Sequence, residues 1–247
     1  MKIKWNKEYE LFEREGQFFN YAPSFIQISN KEGYLFYCSN KEESVIRDHI
    51  VLRRGILDQE TWIFGEEKLA LCPSEKGWDN IHVCDPDILG GKFRVENSIY
   101  NYVMFYLGCS EKEEKKGNHI GVAYANTIYG PWIKMQGNPL IVNTAIGRWG
   151  VGQASATSID GEGKLRLYYT RQDDISTKMV TRKVDLSDLC NPIMGEEVVI
   201  PLRGLTRIDG MAERVLNNGE IIHDTFRQQF ILIRQNHPTP KTKPSNI

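Results

Sequence analysis

The sequence predicts an all-β chain folded as a propeller, and three observations carry that prediction. A unit of two β-rich runs around a tight turn recurs about every 60 residues, the mark of a repeat architecture. The second run of each unit ends in aromatic and β-branched text, "YLFY", "YVMFY", "LRLYY" and "QFILI", as buried strands do. Helical periodicity is weak throughout.

Taken in order, the first unit opens with "NYAPSFIQISNKEGYLFYCSN", Asn20 to Asn40, where "KEG" supplies turn chemistry. Two further strands follow it, "HIVLRRG" and the Trp62-bearing "ETWIF". The second unit opens with "VCDPDILGGKFRVENSIYNYVMFYLGC", Val83 to Cys109, and continues through "HIGVAYA" and "GPWIKM". The third opens with "VGQASATSIDGEGKLRLYYTR", Val151 to Arg171, turning at "DGEG", and adds "TKMVTRKVDL" before a loop at "CNPIMGEE". The fourth is "GMAERVLNNGEIIHDTFRQQFILIR", Gly210 to Arg234. Four antiparallel strands per unit is the pattern of a propeller blade. The blade-like units fall near 20–68, 78–140, 149–200 and 205–237, with a tail at 238–247, all in one domain. The competing arrangement is a two-sheet sandwich of loosely similar strands.

Composition excludes several functions. The chain has 247 residues, 40% hydrophobic and 26% charged, with a net charge of −1. That is an ordinary globular balance, with no basic excess for nucleic acid. No apolar run is long enough to span a membrane. The charged start "MKIKWNKEYELFEREG" has no apolar signal core, so the expected location is cytoplasmic. Five cysteines without a C-x-x-C pair argue against both a disulfide framework and a zinc ribbon. They read mostly as buried small hydrophobes. The run "CSEKEEKKGN" reads as a solvated loop.

The order "DPDI … YVMFYLG … HIGVAYANTIYGPWIKMQGNPLI" resembles the five-bladed β-propeller glycosidases of glycoside hydrolase family 43 and their relatives. "WGVGQASATSIDGEGKLRLYYT" is similar to a later blade of that group. The likeness runs from Asn20 to roughly Asn218 and implies a five-bladed propeller, of which four units are visible; a truncated gene, an incomplete last blade and remaining strands without a clear pattern are the three readings of that difference. Incomplete closure would leave a sheet edge that a second copy of the chain could cover. The resemblance also implies a catalytic base in a "DP" dipeptide opening the first blade, where this chain has Ala22-Pro23. Alanine cannot take a proton.

Aligning the four openings brings Ala22, Asp85, Gln153 and Ala212 or Glu213 to the channel mouth. Glycoside hydrolysis needs a carboxylic acid and a second carboxylate, so Asp85 is expected as base and Glu213 as acid. Asp87 would tune them or bind sugar hydroxyls. Trp78 offers a flat face to a pyranose, with Asp79 and His82 behind it, and Trp149 with Arg148 mirrors this in the third unit. Gln153 is placed for a hydroxyl, and Tyr21 and Asn20 reach the channel beside Ala22. Trp62 and Trp132 are expected to pack between blades. No cofactor is expected, and a central calcium ion is compatible with the channel without being called for. The expected ligand is a carbohydrate of arabinose, xylose or galactose type, either hydrolysed or, given Ala22, only bound. A protein-interaction propeller is the third reading, disfavoured by the absence of W-D and G-H signatures.

Overall fold

A computed structural model describes residues 11–12, 16, 19–40, 47–110, 117–145, 147–207, 209–224 and 226–234. The charged run at 111–116 and the tail at 238–247 lie outside the described residues. Fifteen strands and no helix make up the described chain, so none of it could cross a membrane as a helix.

The first sheet is a meander of β1 (Phe19–Ser29), β2 (Glu32–Asn40), β3 (His49–Asp58) and β4 (Thr61–Leu71). The second repeats it with β5 (His82–Val95), β6 (Ser98–Cys109), β7 (His119–Ala125) and β8 (Ile133–Lys134). The third has β9 (Val151–Ser158), β10 (Lys164–Gln172) and β11 (Thr177–Asp185). Two short strands, β12 (Ile193–Met194) and β13 (Val198–Val199), then pair with β11. The segment "CNPIMGEE", expected as a loop, thus contains the strand β12. It is too short for periodicity to reveal. The fourth sheet is the single hairpin of β14 (Gly219–Asp224) and β15 (Gln229–Arg234).

Each first strand packs on the next, β1 on β5, β5 on β9 and β9 on β14, so these four line a common axis. The sheets form an arc that does not close. The fold is the expected all-β propeller, with three four-layered blades and a two-stranded fourth.

The core lies between blades rather than at the axis. Tyr34, Phe36, Ile50 and Leu52 of the first blade pack on Met104, Tyr106 and Trp132 of the second. Phe105, Val122 and Val103 pack on Leu165, Leu167 and Tyr169 of the third. Tyr168 and Met179 hold Leu216 and Ile221 of the fourth. The central strands are therefore apolar on both faces, which is why their runs read as continuous rather than alternating. Burying one such ring fully contributes about 2–3 kcal/mol. Trp132 packs edge-on to Phe36 across the first blade interface, as expected. Trp62 instead packs on Phe25 within its own blade.

One cross-link joins two blades: Cys38 on β2 and Cys84 on β5 form a disulfide. This corrects the expectation drawn from the cysteine count. Blade packing brings the two Cα atoms to 5.2 Å across 46 residues of sequence, which spacing rules cannot see. Of the remaining cysteines Cys109 is buried, whereas Cys72 and Cys190 are exposed.

Candidate active site

The first strands share one irregularity. Between Tyr21 and Ser24, Cys84 and Asp87, and Gly152 and Ser155, three residues advance on the first strand while two advance on its partner. Each is a β-bulge with one extra residue, which bends the strand and re-aims a side chain. At each bulge a non-glycine residue takes positive φ: Ala22 at 49°, Asp85 at 47° and Gln153 at 54°. The fourth strand is preceded by the same conformation at Asn218, φ 48°. Non-glycine residues rarely adopt this region, and Asn and Asp do so most readily. All four residues line one cavity of about 320 Å³, together with Glu220 and Arg234.

The fourth equivalent position is therefore Asn218, not Ala212 or Glu213. Glu213 lies in the irregular segment ahead of β14 and is buried. Its Oε1 accepts from the N–H groups of Arg214 (2.9 Å) and Val215 (3.2 Å). Its Oε2 accepts from the Arg234 guanidinium at 2.7 Å. Burial would raise its pKa, but these donors together win and hold it below the usual range. Glu213 is held as an anion that orients Arg234, a poor proton donor.

Asp85 has the opposite balance. Burial pushes its pKa up to about 6, against the positive charge of His82 and with the negative charge of Asp48. The Gln153 N–H also donates to it. Burial would lower the pKa of His82, but hydrogen bonds to Asp48 and Cys109 raise it to about 10. His82 is thus an imidazolium whose Nδ1 donates to Asp48 Oδ2 at 3.1 Å. The Tyr21 hydroxyl donates to the same oxygen at 2.5 Å. Asp48 thus joins Tyr21 and His82, two residues the sequence suggested separately. Asp48 precedes β3 with no motif around it.

A second ring lies two residues along each strand: Ser24, Asp87, Ser155 and Glu220. Asp87 is buried, and its Oδ2 accepts from the Ala156 N–H at 2.7 Å. Burial and then the charge of Glu220 push its pKa well above the ordinary value. Burial also raises Glu220, against a hydrogen bond with Ser155. A charge on Glu220 thus opposes ionisation of Asp87. Glu220 was missed in the sequence because the fourth unit was aligned out of register. Its signal was there: Glu220 follows Asn218 as Asp87 follows Asp85.

Several expected residues lie elsewhere. Trp78 stacks on Tyr106 with ring centroids 5.5 Å apart. It covers Gly108 and Gly121, where an added Cβ would sit 2.7 Å from the indole. Asp79 is buried and accepts from Lys134 at 2.6 Å and Tyr106 at 3.0 Å. Arg148 pairs with Asp174 at the surface. None of these three lines the cavity. Trp149 is closer: it packs with Ala22 on Cys38, Cys84 and Leu107, an apolar plug beside the mouth. Potential metal-ligand atoms of Cys38, Cys84 and Asp85 lie within 4.8 Å of one another. The two sulfurs are joined to each other, which leaves one carboxylate.

No protein-family description and no curated protein sequence matches the chain. Solved structures do. A thermostable family-43 glycoside hydrolase matches with a TM-score of 0.57 at 21% identity, over 77% of this chain and 62% of that one. A family 117 glycoside hydrolase of the marine bacterium Zobellia galactanivorans matches with 0.51 at 20%, over 74% and 56%. An exo-β-1,3-galactanase of Phanerochaete chrysosporium matches with 0.54 at 15%, over 87% and 43%. The chain thus spans less than two thirds of each of these relatives and has the fold of family-43-type propeller glycosidases.

Proposed function

We propose that the protein hydrolyses a glycosidic bond in the cavity at the ends of its first strands. The observation that carries this reading is the set of Asp85, Asp87 and Glu220, three carboxyl groups on two strands at one channel, each with a raised pKa. Above about pH 6, Asp85 is an anion able to accept a proton from water. Burial pushes Asp87 and Glu220 toward their protonated forms, and Glu220, which lines the cavity, is the group placed to deliver a proton to the leaving oxygen. Glu220 replaces Glu213 in the acid role first expected from the sequence. Water then adds to the anomeric carbon as the bond to the leaving group breaks, and the water proton passes to Asp85. Arg234 and Asn218 are placed to bind sugar hydroxyls. Neighbours named as an exo-β-1,3-galactanase and an endo-1,4-β-xylanase support a galactose- or xylose-type substrate, and the arabinose type stays from the sequence resemblance.

Turnover of nitrophenyl glycosides of those three sugars tests the proposal. Asp85→Asn and Glu220→Gln should each lower kcat by about 10²-fold or more, whereas Glu213→Gln should act chiefly through stability. The second reading, a propeller that binds sugar without cleaving it, is favoured by the methyl group of Ala22. Calorimetric sugar binding by a wild type with no turnover on any substrate would establish it instead.

A further inference from the structure

We infer that the Cys38–Cys84 disulfide is a positioning element for Asp85, and not simply a brace between blades; this rests on the reading that Asp85 works in the cavity. Cys84 immediately precedes Asp85, and Cys38 Sγ accepts the Asp85 N–H at 3.0 Å. A bulge removes that N–H from the regular ladder, and a sulfur is a weak acceptor. The disulfide fixes the position of that sulfur against the Asp85 N–H.

The same cross-link reaches the groups that set the charge on Asp85. Cys38 is the strand partner of Tyr21, whose hydroxyl grips Asp48, which in turn holds His82. Both sulfurs are buried, and with Ala22, Leu107 and Trp149 they form the plug that keeps water from one side of Asp85. On the other sides Asp85 meets the Gln153 N–H and the cavity, whose wall also carries Arg234 and Glu220. Among the described cysteines no other pair is bonded.

The test reads Asp85 directly. Protein labelled with ¹³C in the aspartate carboxyl is titrated by NMR, with the Asp85 resonance assigned by its loss in Asp85→Asn. In Cys38→Ala/Cys84→Ala water reaches the plug, and the Asp85 midpoint should fall by about one unit or more from about 6 toward 3.8. A folded double variant with an unchanged midpoint overturns the inference. Where that variant fails to fold, wild type is reduced with a phosphine, which gains the oxygen of water as the disulfide becomes two thiols. The reduced protein should show the same fall, and its unfolding would make the disulfide a brace and overturn the inference. Glycoside turnover is measured separately. A shifted midpoint in a protein without turnover defeats the proposed hydrolysis and leaves the positioning role standing.

Discussion

Asp85 and Glu213 show how two carboxylates of one chain acquire opposite chemistry. Glu213 is met by three donors and stays ionised, whereas Asp85 is met mainly by apolar surroundings and holds its proton up to about pH 6. A raised carboxyl pKa means that ionisation opposes folding. The stability associated with neutral Asp85 is therefore full below about 3.8 and lost as pH rises through about 6. Asp85→Asn should leave thermal stability unchanged at pH 3.5 and raise it at pH 8, by about 2–3 kcal/mol at most. Calorimetry at the two pH values decides it. His82 runs the other way: its raised pKa stabilises the fold below about 6.5, and that contribution is lost as pH climbs through about 10. In Asp48→Asn the His82 midpoint should drop by at least two units in an NMR titration, and the protein should lose on the order of 3 kcal/mol at neutral pH. Asp85 and Gln153 could be read from the sequence as residues of the channel mouth because they sit at the opening of a repeated strand, and the structure places both on the cavity wall. Asp48 could not, since its importance comes from packing across a blade.

At the level of the strand, the bulge is the device that makes the site. It inserts one residue, turns that residue to positive φ and points it into the channel three times in the complete blades, and Asn218 ahead of β14 takes the same φ without an inserted residue. The sequence signalled two of them through Ala22-Pro23 and Asp85-Pro86. The alignment slipped in the fourth unit because no proline marks Asn218. Trp78 and Asp79 misled for a related reason: polar and aromatic residues beside a motif suggest a pocket, yet two glycines make room for the indole on a core tyrosine. The left-handed position tolerates Asp, so Ala22→Asp should fold and place a further carboxylate at the mouth. Its like charge should raise the Asp85 midpoint above about 6, readable in the same carboxyl titration. A lower midpoint would mean the new side chain turns away from the channel.

For the whole molecule, the arc of blades was readable from repetition, whereas its cross-links were not. Cores between sheets need only apolar runs at a fixed spacing, so periodicity exposes them. A disulfide across 46 residues requires knowing which blade faces which. The terminal hairpin is held by Leu216 and Ile221 in the third core and by the Ile221 N–H, which donates to Ser155 Oγ at 3.0 Å. Ser155→Ala should cost about 1–2 kcal/mol by stranding that buried N–H. Hydrogen exchange should then quicken in β14 and β15 while β2, β6 and β10 stay protected. Uniform acceleration across all blades would show that the arc unfolds as one unit.

The four left-handed positions carry one further consequence. Ala22, Asp85, Gln153 and Asn218 are a methyl, an acid and two amides, displayed around a single opening by a backbone geometry that does not depend on which of them is present. Their side chains can vary like the pins of a lock while the barrel stays the same. Exchanging these four residues in combination would retune what the opening accepts without redesigning a blade.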